Sequence, residues 1–153
     1  MRLAAAAVLI AGCAYKPDSF HAPSHPFVGQ HVSAGCLDLA IERRPDLIAR
    51  TGAVVAYEFG NRCDHAAVVD LVHVAVKGRT FDGQELDLRP WDPHHEMRAL
   101  ALDGRAIGNE AIAYKNKDPI AEVCVDAASI AHATPERWLC FATSQQLAVK
   151  ETK

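Results

Sequence analysis

Apolar side chains recur at every second position in short segments of this chain. Residues 37–41 place Leu, Leu and Ile at alternate positions, and residues 55–59 do the same with Val, Tyr and Phe. Successive side chains of a β-strand point to opposite faces of a sheet, so this spacing is typical of strands that bury one face. The pattern predicts that most of the chain is β-structure.

Similar segments follow along the chain, and turn dipeptides separate them. The further predicted strands are 67–76, 86–88, 99–102, 110–114, 123–125 and 138–142, and the predicted turns are Gly60-Asn61, Asp82-Gly83, Asp103-Gly104 and Gly108-Asn109. Seven to eight short strands with this spacing predict an all-β fold, an immunoglobulin-like antiparallel β-sandwich. Helical signals are limited to single turns at 45–49 and at 134–137, the second with Thr134 as N-cap before a proline.

The extent of the alternating pattern sets the predicted domain boundaries. It begins at Val32 and ends near Thr143, which limits the sandwich domain to residues 32–143. Residues 13–31 contain three prolines and three histidines without a regular pattern, so we expect a semi-extended tether there. Residues 144–153 are expected to fray. A chain of 153 residues is long enough for one domain with such flanking segments.

The first residues have the composition of an export signal. Arg2 is followed by an apolar run that reaches Ala11, and this order matches the positive and hydrophobic regions of a secretory signal. The run has about half of the roughly 20 apolar residues that a membrane-spanning helix needs. Residues 1–12 are therefore predicted to be a signal peptide.

Residues 9–13 read Leu-Ile-Ala-Gly-Cys, and they resemble the lipobox of bacterial lipoproteins. The resemblance implies that the Cys13 sulfur receives a diacylglyceryl group, that cleavage follows Gly12 and that the new amine is acylated. Two or three acyl chains would hold the protein firmly on a membrane. Ala14, in place of Asp, implies export to the outer membrane under the sorting rule of enteric bacteria. The alternatives are an ordinary cleaved signal and an apolar N-terminal strand.

The cysteine count agrees with a lipid on Cys13. Five cysteines leave one over when they pair, and assigning Cys13 to the lipid leaves an even set. An exported protein meets an oxidising compartment, in which disulfides persist. The remaining cysteines, Cys36, Cys63, Cys124 and Cys140, allow three connectivities, and pairing of sequence neighbours is the simplest of these. No two of them are spaced like zinc ligands.

One segment with two prolines concentrates residues that are common at interfaces. It contains Arg89, Trp91, Asp92, His94, His95 and Glu96. Trp and Arg are frequent interface anchors, and loops carry much of the variable chemistry of sandwiches, so we expect a contact loop here. In an extended segment Asp92, His94 and Glu96 would share one face that could hold a divalent cation. In the third interpretation this is an ordinary loop in which Trp91 caps the core.

Composition and motifs restrict the function. The net charge of −3 excludes the basic surface of a nucleic-acid-binding protein. The sequence contains no catalytic or cofactor motif, so no catalytic residue, metal ligand or cofactor is assigned. We expect a non-enzymatic envelope lipoprotein, bound to the membrane through its N-terminal lipid, that contacts an envelope protein partner. The alternative is a periplasmic metal-binding protein that uses the eight histidines, and the metal content of the purified protein separates the two.

We expect membrane attachment to depend on the Cys13 thiol. A Cys13→Ser variant lacks the sulfur that carries the diacylglyceryl group, so it should leave the membrane fraction for the soluble fraction. Immunoblots of fractionated cells measure this, and a Ser24→Ala variant, which keeps Cys13, should stay with the membranes. Complete membrane retention of the Cys13→Ser chain would contradict the lipid anchor.

Overall fold

Two four-stranded antiparallel sheets form the body of the protein. The structure, a computed structural model, describes residues 14–44, 52–91 and 98–143. In chain order its strands are β1 (His21–Ala22), β2 (His25–Pro26), β3 (Gln30–Ala34), β4 (Leu37–Arg43), β5 (Ala53–Asn61), β6 (Ala67–Val69), β7 (Val76–Thr80), β8 (Glu85–Leu88), β9 (Leu100–Leu102), β10 (Ile107–Tyr114), β11 (Ile120–Asp126) and β12 (Trp138–Ala142). One helical turn, α1 (Ala127–Ile130), lies between the last two strands.

The strands are arranged as a sandwich. Sheet I has the order β10-β5-β4-β3, and sheet II has the order β12-β11-β7-β8. Every pairing within the two sheets is antiparallel. Two small pairs, β1 with β2 and β6 with β9, are added to this body. The predicted all-β antiparallel sandwich is therefore confirmed, with eight strands in the two main sheets.

The alternating apolar residues form one core between the sheets. Val55, Tyr57 and Phe59 of β5 are buried, and they belong to the same cluster as Val123 and Val125 of β11. Full burial of such a side chain stabilises the fold by about 1.5–3 kcal/mol. The period of two that is visible in the sequence thus supplies both inner faces of the sandwich.

Two tyrosines place hydroxyl groups inside this core. The hydroxyl oxygens of Tyr57 and Tyr114 are 2.6 Å apart and share a hydrogen bond. Burial is the main cause that raises the pKa of both hydroxyls above the ordinary value for tyrosine. Both groups therefore stay neutral. A buried hydroxyl without a partner is costly, and here each tyrosine satisfies the other.

Two predicted turns lie inside strands. Gly60 and Asn61 belong to β5, and Gly108 and Asn109 belong to β10, where the two strands pair with each other. The ring of Tyr15 lies over Gly60, and a Cβ atom at Gly60 would be 2.4 Å from that ring. A glycine inside a strand can mark the close approach of another group, and it does so here.

Two further local predictions are wrong, and in both places an aspartate carboxylate accepts hydrogen bonds from nearby backbone NH groups. The helical turn predicted at 134–137 lies instead at α1, where the Asp126 carboxylate accepts a hydrogen bond from the NH of Ala128 at 3.1 Å. The strand predicted at 67–76 is interrupted after Val69. The Asp70 carboxylate accepts hydrogen bonds from the NH groups of residues 72 and 73, and this local turn competes with a continuous strand.

Both disulfides join sequence neighbours, as in the simplest predicted pairing. Strands β4 and β5 form a hairpin. Cys36 precedes β4 and Cys63 follows β5, so their bridge joins the two open ends of this hairpin. Cys124 and Cys140 lie directly opposite each other in β11 and β12, and a bridge joins them as well. The sequence separations are 27 and 16 residues. For closed loops of this size, chain entropy gives roughly 3–4 kcal/mol of stabilisation for each bridge.

Residues 14–28, which we call the strap, pack against the outer face of sheet I. Tyr15 and Phe27 are buried, and their rings stack with centroids 5.8 Å apart. They form a second apolar cluster with Ala40 of β4. The predicted tether at 13–31 is therefore corrected, because the described part of that segment is folded. Its aromatic residues bury apolar surface on the sheet, which a solvated tether would leave exposed.

A buried carboxylate fastens the beginning of the strap. Asp38 of β4 is fully buried, and it accepts hydrogen bonds from the Tyr15 hydroxyl at 2.8 Å and from the Asp18 NH at 2.7 Å. Ser33 donates a third hydrogen bond at 2.5 Å, and Arg62 Nε lies 3.5 Å away. Burial, followed by the contact with Asp38, raises the pKa of Tyr15 to about 12. The hydroxyl therefore remains a donor to the carboxylate.

A second carboxylate fastens the end of the strap. Glu58 of β5 lies 2.6 Å from His25 Nε2 and accepts a hydrogen bond from the Val28 NH at 2.5 Å. Asp38 and Glu58 belong to adjacent strands of sheet I and point away from the core. The polar positions of these strands, which the alternating pattern predicts to face solvent, thus bind the strap.

Several predicted features lie outside the described residues. They are the signal peptide with Cys13, the helical turn at 45–49, the contact-loop residues Asp92, His94, His95 and Glu96, and the tail at 144–153. Within the part of the chain that the structure describes, no helix has the length and apolarity needed to cross a membrane.

We expect Asp38 to be essential for stability. Asp38→Ala leaves the Arg62 guanidinium and the Tyr15 hydroxyl without their buried acceptor, and loss of one partner from such a buried charged network typically costs about 3–5 kcal/mol. Urea denaturation of the purified protein measures the change in the free energy of unfolding. Asp118→Ala, at an exposed loop position, is the control and should change it by less than about 0.5 kcal/mol. A similarly small change for Asp38→Ala would contradict the role of the carboxylate.

Candidate functional site

An open groove runs over sheet II between the two tryptophans of the chain. Its floor comes from β7, β8 and the turn at residues 72–75, and its walls come from residues 89–91 and from Glu136 and Trp138. Its volume is about 1280 Å³. Side chains of strands have fixed directions, so the floor residues of β7 and β8 are held by the hydrogen-bonded ladder of the sheet. The groove is thus a rigid surface bordered by two aromatic rings.

Trp91 forms one wall. Its backbone NH donates to the Ala113 carbonyl of β10 at 2.8 Å, which holds the residue against the edge of sheet I. The residue is 45% exposed, so part of its surface is free to contact a partner, and the core-cap interpretation stays a prediction. Lys115 Nζ lies 3.3 Å from the centroid of the indole ring. A cation over an aromatic face at an exposed site is worth about 0.5–1 kcal/mol, and this contact orients the ring.

Trp138 forms the opposite wall. Its indole NH donates to the Glu136 carboxylate at 2.9 Å, and Lys77 Nζ from β7 lies 4.9 Å from the ring centroid. Both tryptophans therefore have a lysine against the ring. The apolar rings and the charged groups beside them are the mixture that interfaces use for anchoring.

The groove carries charges of both signs. Lys77 and Arg89 supply positive groups, and Asp87 and Glu136 supply negative groups. Lys77 and Asp87 are cross-strand neighbours in β7 and β8, so their charges are positioned by the strand register. A ligand that matches this surface needs both polar groups and apolar surface.

A smaller hollow of about 250 Å³ continues from the groove across Lys77 and Trp138. It reaches the disulfide between Cys124 and Cys140, together with Arg79 and Glu122. The Arg79 guanidinium and the Glu122 carboxylate are 2.7 Å apart. The disulfide holds β12, and with it Trp138, in register with β11. This bridge therefore helps to position one wall of the groove.

Two histidines meet one carboxylate at the edge of the groove. His73 Nδ1 lies 3.0 Å from Asp70 Oδ2, and His132 Nε2 lies 3.1 Å from the same oxygen. The imidazoles are largely exposed, whereas the Asp70 side chain is nearly buried. Burial acts to raise the pKa of Asp70, but hydrogen bonds from the backbone and side chain of His73 outweigh it and lower the pKa below its ordinary value. Asp70 is therefore an anion that organises both rings.

The structure brings part of the predicted contact loop to this site. Arg89 and Trp91 both line the groove, and the other four loop residues lie outside the described part of the chain. Sequence reasoning missed Trp138, Lys115 and His132. The alternating pattern assigned Trp138 to a strand but did not indicate its exposed face. Nothing in the sequence pairs Asp70 with His132, because they meet only when α1 packs beside the turn at Asp70.

A second arrangement has the order of groups found in serine hydrolases. Ser24 Oγ lies 3.1 Å from His25 Nδ1, and His25 Nε2 lies 2.6 Å from the Glu58 carboxylate. A hydroxyl, an imidazole and a carboxylate in this order can activate a nucleophile. Here Ser24 and His25 are exposed on the strap, and neither lines the groove. Glu58 also binds the Val28 NH, so the arrangement serves to hold the strap.

Metal-like spacing among the described residues occurs at Cys36, Cys63 and His65. The two sulfurs form a disulfide, and thiolates rather than disulfide sulfurs are metal ligands. The residues therefore do not fit a metal in this state. His25, His31 and His65 each contact a different protein group, whereas His73 and His132 both contact Asp70.

Comparisons with known proteins leave the function open. No protein-family model matches the chain, and no curated protein matches it. One solved structure that is similar is the yjhA protein from Bacillus subtilis, with 9% sequence identity and a TM-score of 0.48. The match covers 75% of this chain and 96% of that chain. We draw no conclusion about function from a similarity of this size.

We expect the Asp70 contacts to contribute less to stability in acid. The pKa of Asp70 is lowered in the folded protein, so its contribution is present above the unfolded pKa of about 3.9 and is lost as the pH falls through the folded value. Asp70→Asn should cost about 1 kcal/mol at pH 7, and the difference from wild type should shrink at pH 3. Urea denaturation at both pH values measures it. Asp87→Asn, at an exposed position of β8, is the control, and a difference for Asp70→Asn that grows in acid would contradict this assignment.

Proposed function

We propose that this protein is a non-enzymatic lipoprotein of the bacterial cell envelope that binds an envelope protein partner in the groove between Trp91 and Trp138. The lipid anchor rests on the similarity of residues 9–13 to the lipobox, and the outer membrane is the proposed destination. The observation that carries the binding function is that both tryptophans of the chain reach the surface at one groove.

The chemistry of the walls favours a protein partner. Tryptophan and arginine are the side chains most often found as energetic anchors at interfaces, and Trp91, Arg89 and Trp138 border the same groove. Each indole offers apolar area with few rotatable bonds, so little conformational entropy is lost when a partner binds. The cross-strand Lys77 and Asp87 add charges of both signs between the rings, which suits a peptide segment with its own mixed side chains.

The scaffold favours binding over catalysis in this proposal. Several polar groups at the groove have partners, as in the contacts of Trp138 with Glu136 and of Lys115 with Trp91. In a catalytic site a nucleophile and a base usually lie in a cleft, within hydrogen-bond reach of each other. The pair of Ser24 with His25 is on the strap and away from the groove.

Photo-cross-linking in intact cells tests the binding function. A photo-cross-linking amino acid at Lys77, in the floor of the groove, should give a covalent adduct with one envelope protein. The same amino acid at Asn109, an exposed position of sheet I, should give none. Trp91→Ala should remove the adduct while it lowers the free energy of unfolding by only about 1 kcal/mol, because the ring is 45% exposed, whereas truncation of a fully buried tryptophan costs about 3–5 kcal/mol.

Three outcomes contradict the proposal. An adduct that persists unchanged in the Trp91→Ala chain shows that the groove is not the contact. Equal adducts from positions 77 and 109 show that cross-linking is not specific to the groove. A loss of several kcal/mol in Trp91→Ala shows that the ring is structural, and that the missing adduct reports unfolding.

A further inference from the structure

We infer that the strap seats the folded domain directly on the lipid surface, with the loops around Tyr15, Arg62 and Arg105 facing the bilayer. This inference rests on the proposed lipid anchor. It replaces the expected tether with a fixed orientation, because the residues that follow the anchor are part of the sandwich.

Tyr15 is held through its backbone NH, its hydroxyl and its ring. Its NH donates to the Arg105 carbonyl at 2.6 Å, its hydroxyl donates to Asp38, and its ring lies over Gly60 and stacks on Phe27. The residue is 4% exposed. A residue held by backbone, hydroxyl and ring contacts has no freedom to act as part of a flexible linker.

The chain length between anchor and domain is short. Cys13 precedes Tyr15 by two residues in the sequence, and two residues span at most about 7 Å. A flexible tether of the length expected from the sequence, about 18 residues, would have a root-mean-square span of roughly 23 Å. The domain is therefore held within one short link of the acylated residue, and the surface around Tyr15 must lie next to the lipid headgroups.

The surface around Tyr15 suits a headgroup layer. Lys16 is exposed beside Tyr15, and Arg62 lies 3.0 Å from Asp18. Long basic side chains can lie along the interface with their charged ends in water. Asp18 pairs with Arg62, and Asp64 interacts electrostatically with Arg105, so these carboxylates offset the basic groups and the surface has little affinity for lipid by itself. Its contact with the bilayer depends on the acyl chains.

The same geometry holds one wall of the groove away from the bilayer. Tyr15 hydrogen-bonds to Arg105, just before β10 begins at Ile107, whereas Trp91 hydrogen-bonds to Ala113 near the other end of β10. Strands rise about 3.3 Å per residue, so Ile107 and Ala113 are about 20 Å apart. The anchored end and the Trp91 wall thus lie at opposite ends of one strand, and the anchor presents this wall to a partner.

Fluorescence quenching on vesicles tests the orientation. The full-length lipidated protein is inserted into phosphatidylethanolamine–phosphatidylglycerol vesicles that carry a nitroxide on the headgroup, with a fluorescent amino acid in place of Lys16 or of Lys117. Lys117 is exposed in the loop after β10. We expect loss of most of the fluorescence at position 16 and retention of most of it at position 117.

A linker insertion is the matched control. About 12 Gly and Ser residues placed between Ala14 and Tyr15 add a span of roughly 20 Å, and quenching at position 16 should then fall to the level at position 117. Equal quenching of both positions in the native chain overturns the orientation while the lipid anchor stands. Quenching at position 16 that survives the insertion overturns the role of the short link. If mass spectrometry finds no acyl groups on Cys13 and the chain does not bind vesicles, the anchor and this inference both fail.

Discussion

The buried Asp38 carboxylate is the contact on which the arrangement of this protein depends. It lies on the outer face of the central strand β4, and it binds the strap through Tyr15 and Asp18, the neighbouring strand through Ser33, and the loop after β5 through Arg62. A buried charge is tolerated only when its partners compensate the lost hydration. Here the partners come from three segments of the chain, so the carboxylate enforces one position for each of them.

In the proposed function, attachment and recognition use different faces of the fold. The outer face of sheet I binds the strap and carries the residues nearest to the proposed anchor. The outer face of sheet II is open and carries the groove between Trp91 and Trp138. Each sheet has one disulfide. Cys36–Cys63 joins the ends of the β4–β5 hairpin, and Cys124–Cys140 links β11 to β12, the strand that carries Trp138. The inner faces are used for the core, so both outer faces are available for function.

Much of the fold and a smaller part of the candidate site could be predicted from the sequence. The strands of β4, β5, β10 and β12, the antiparallel sandwich and the pairing of neighbouring cysteines follow from local spacing, because period-two apolarity and short loop closure act over a few residues or one hairpin. Arg89 and Trp91 were predicted as contact residues from composition. Gly60 and Gly108 were predicted wrongly as turn residues. Glycine occurs both in turns and where a neighbouring ring lies close to a strand, and the sequence alone does not distinguish the two cases.

What the sequence by itself determined is the class of structure and the resemblance of residues 9–13 to a lipoprotein signal, and it left three connectivities for the other four cysteines. Tertiary structure alone decided that residues 14–28 are a strap, that Trp138 shares a groove with Trp91, and that His73 and His132 meet at Asp70. The physical reason is range. Alternation records which way a side chain points within its own strand, whereas the contact of Tyr15 with Asp38 joins residues 23 positions apart and exists only after the sheet that carries Asp38 has formed.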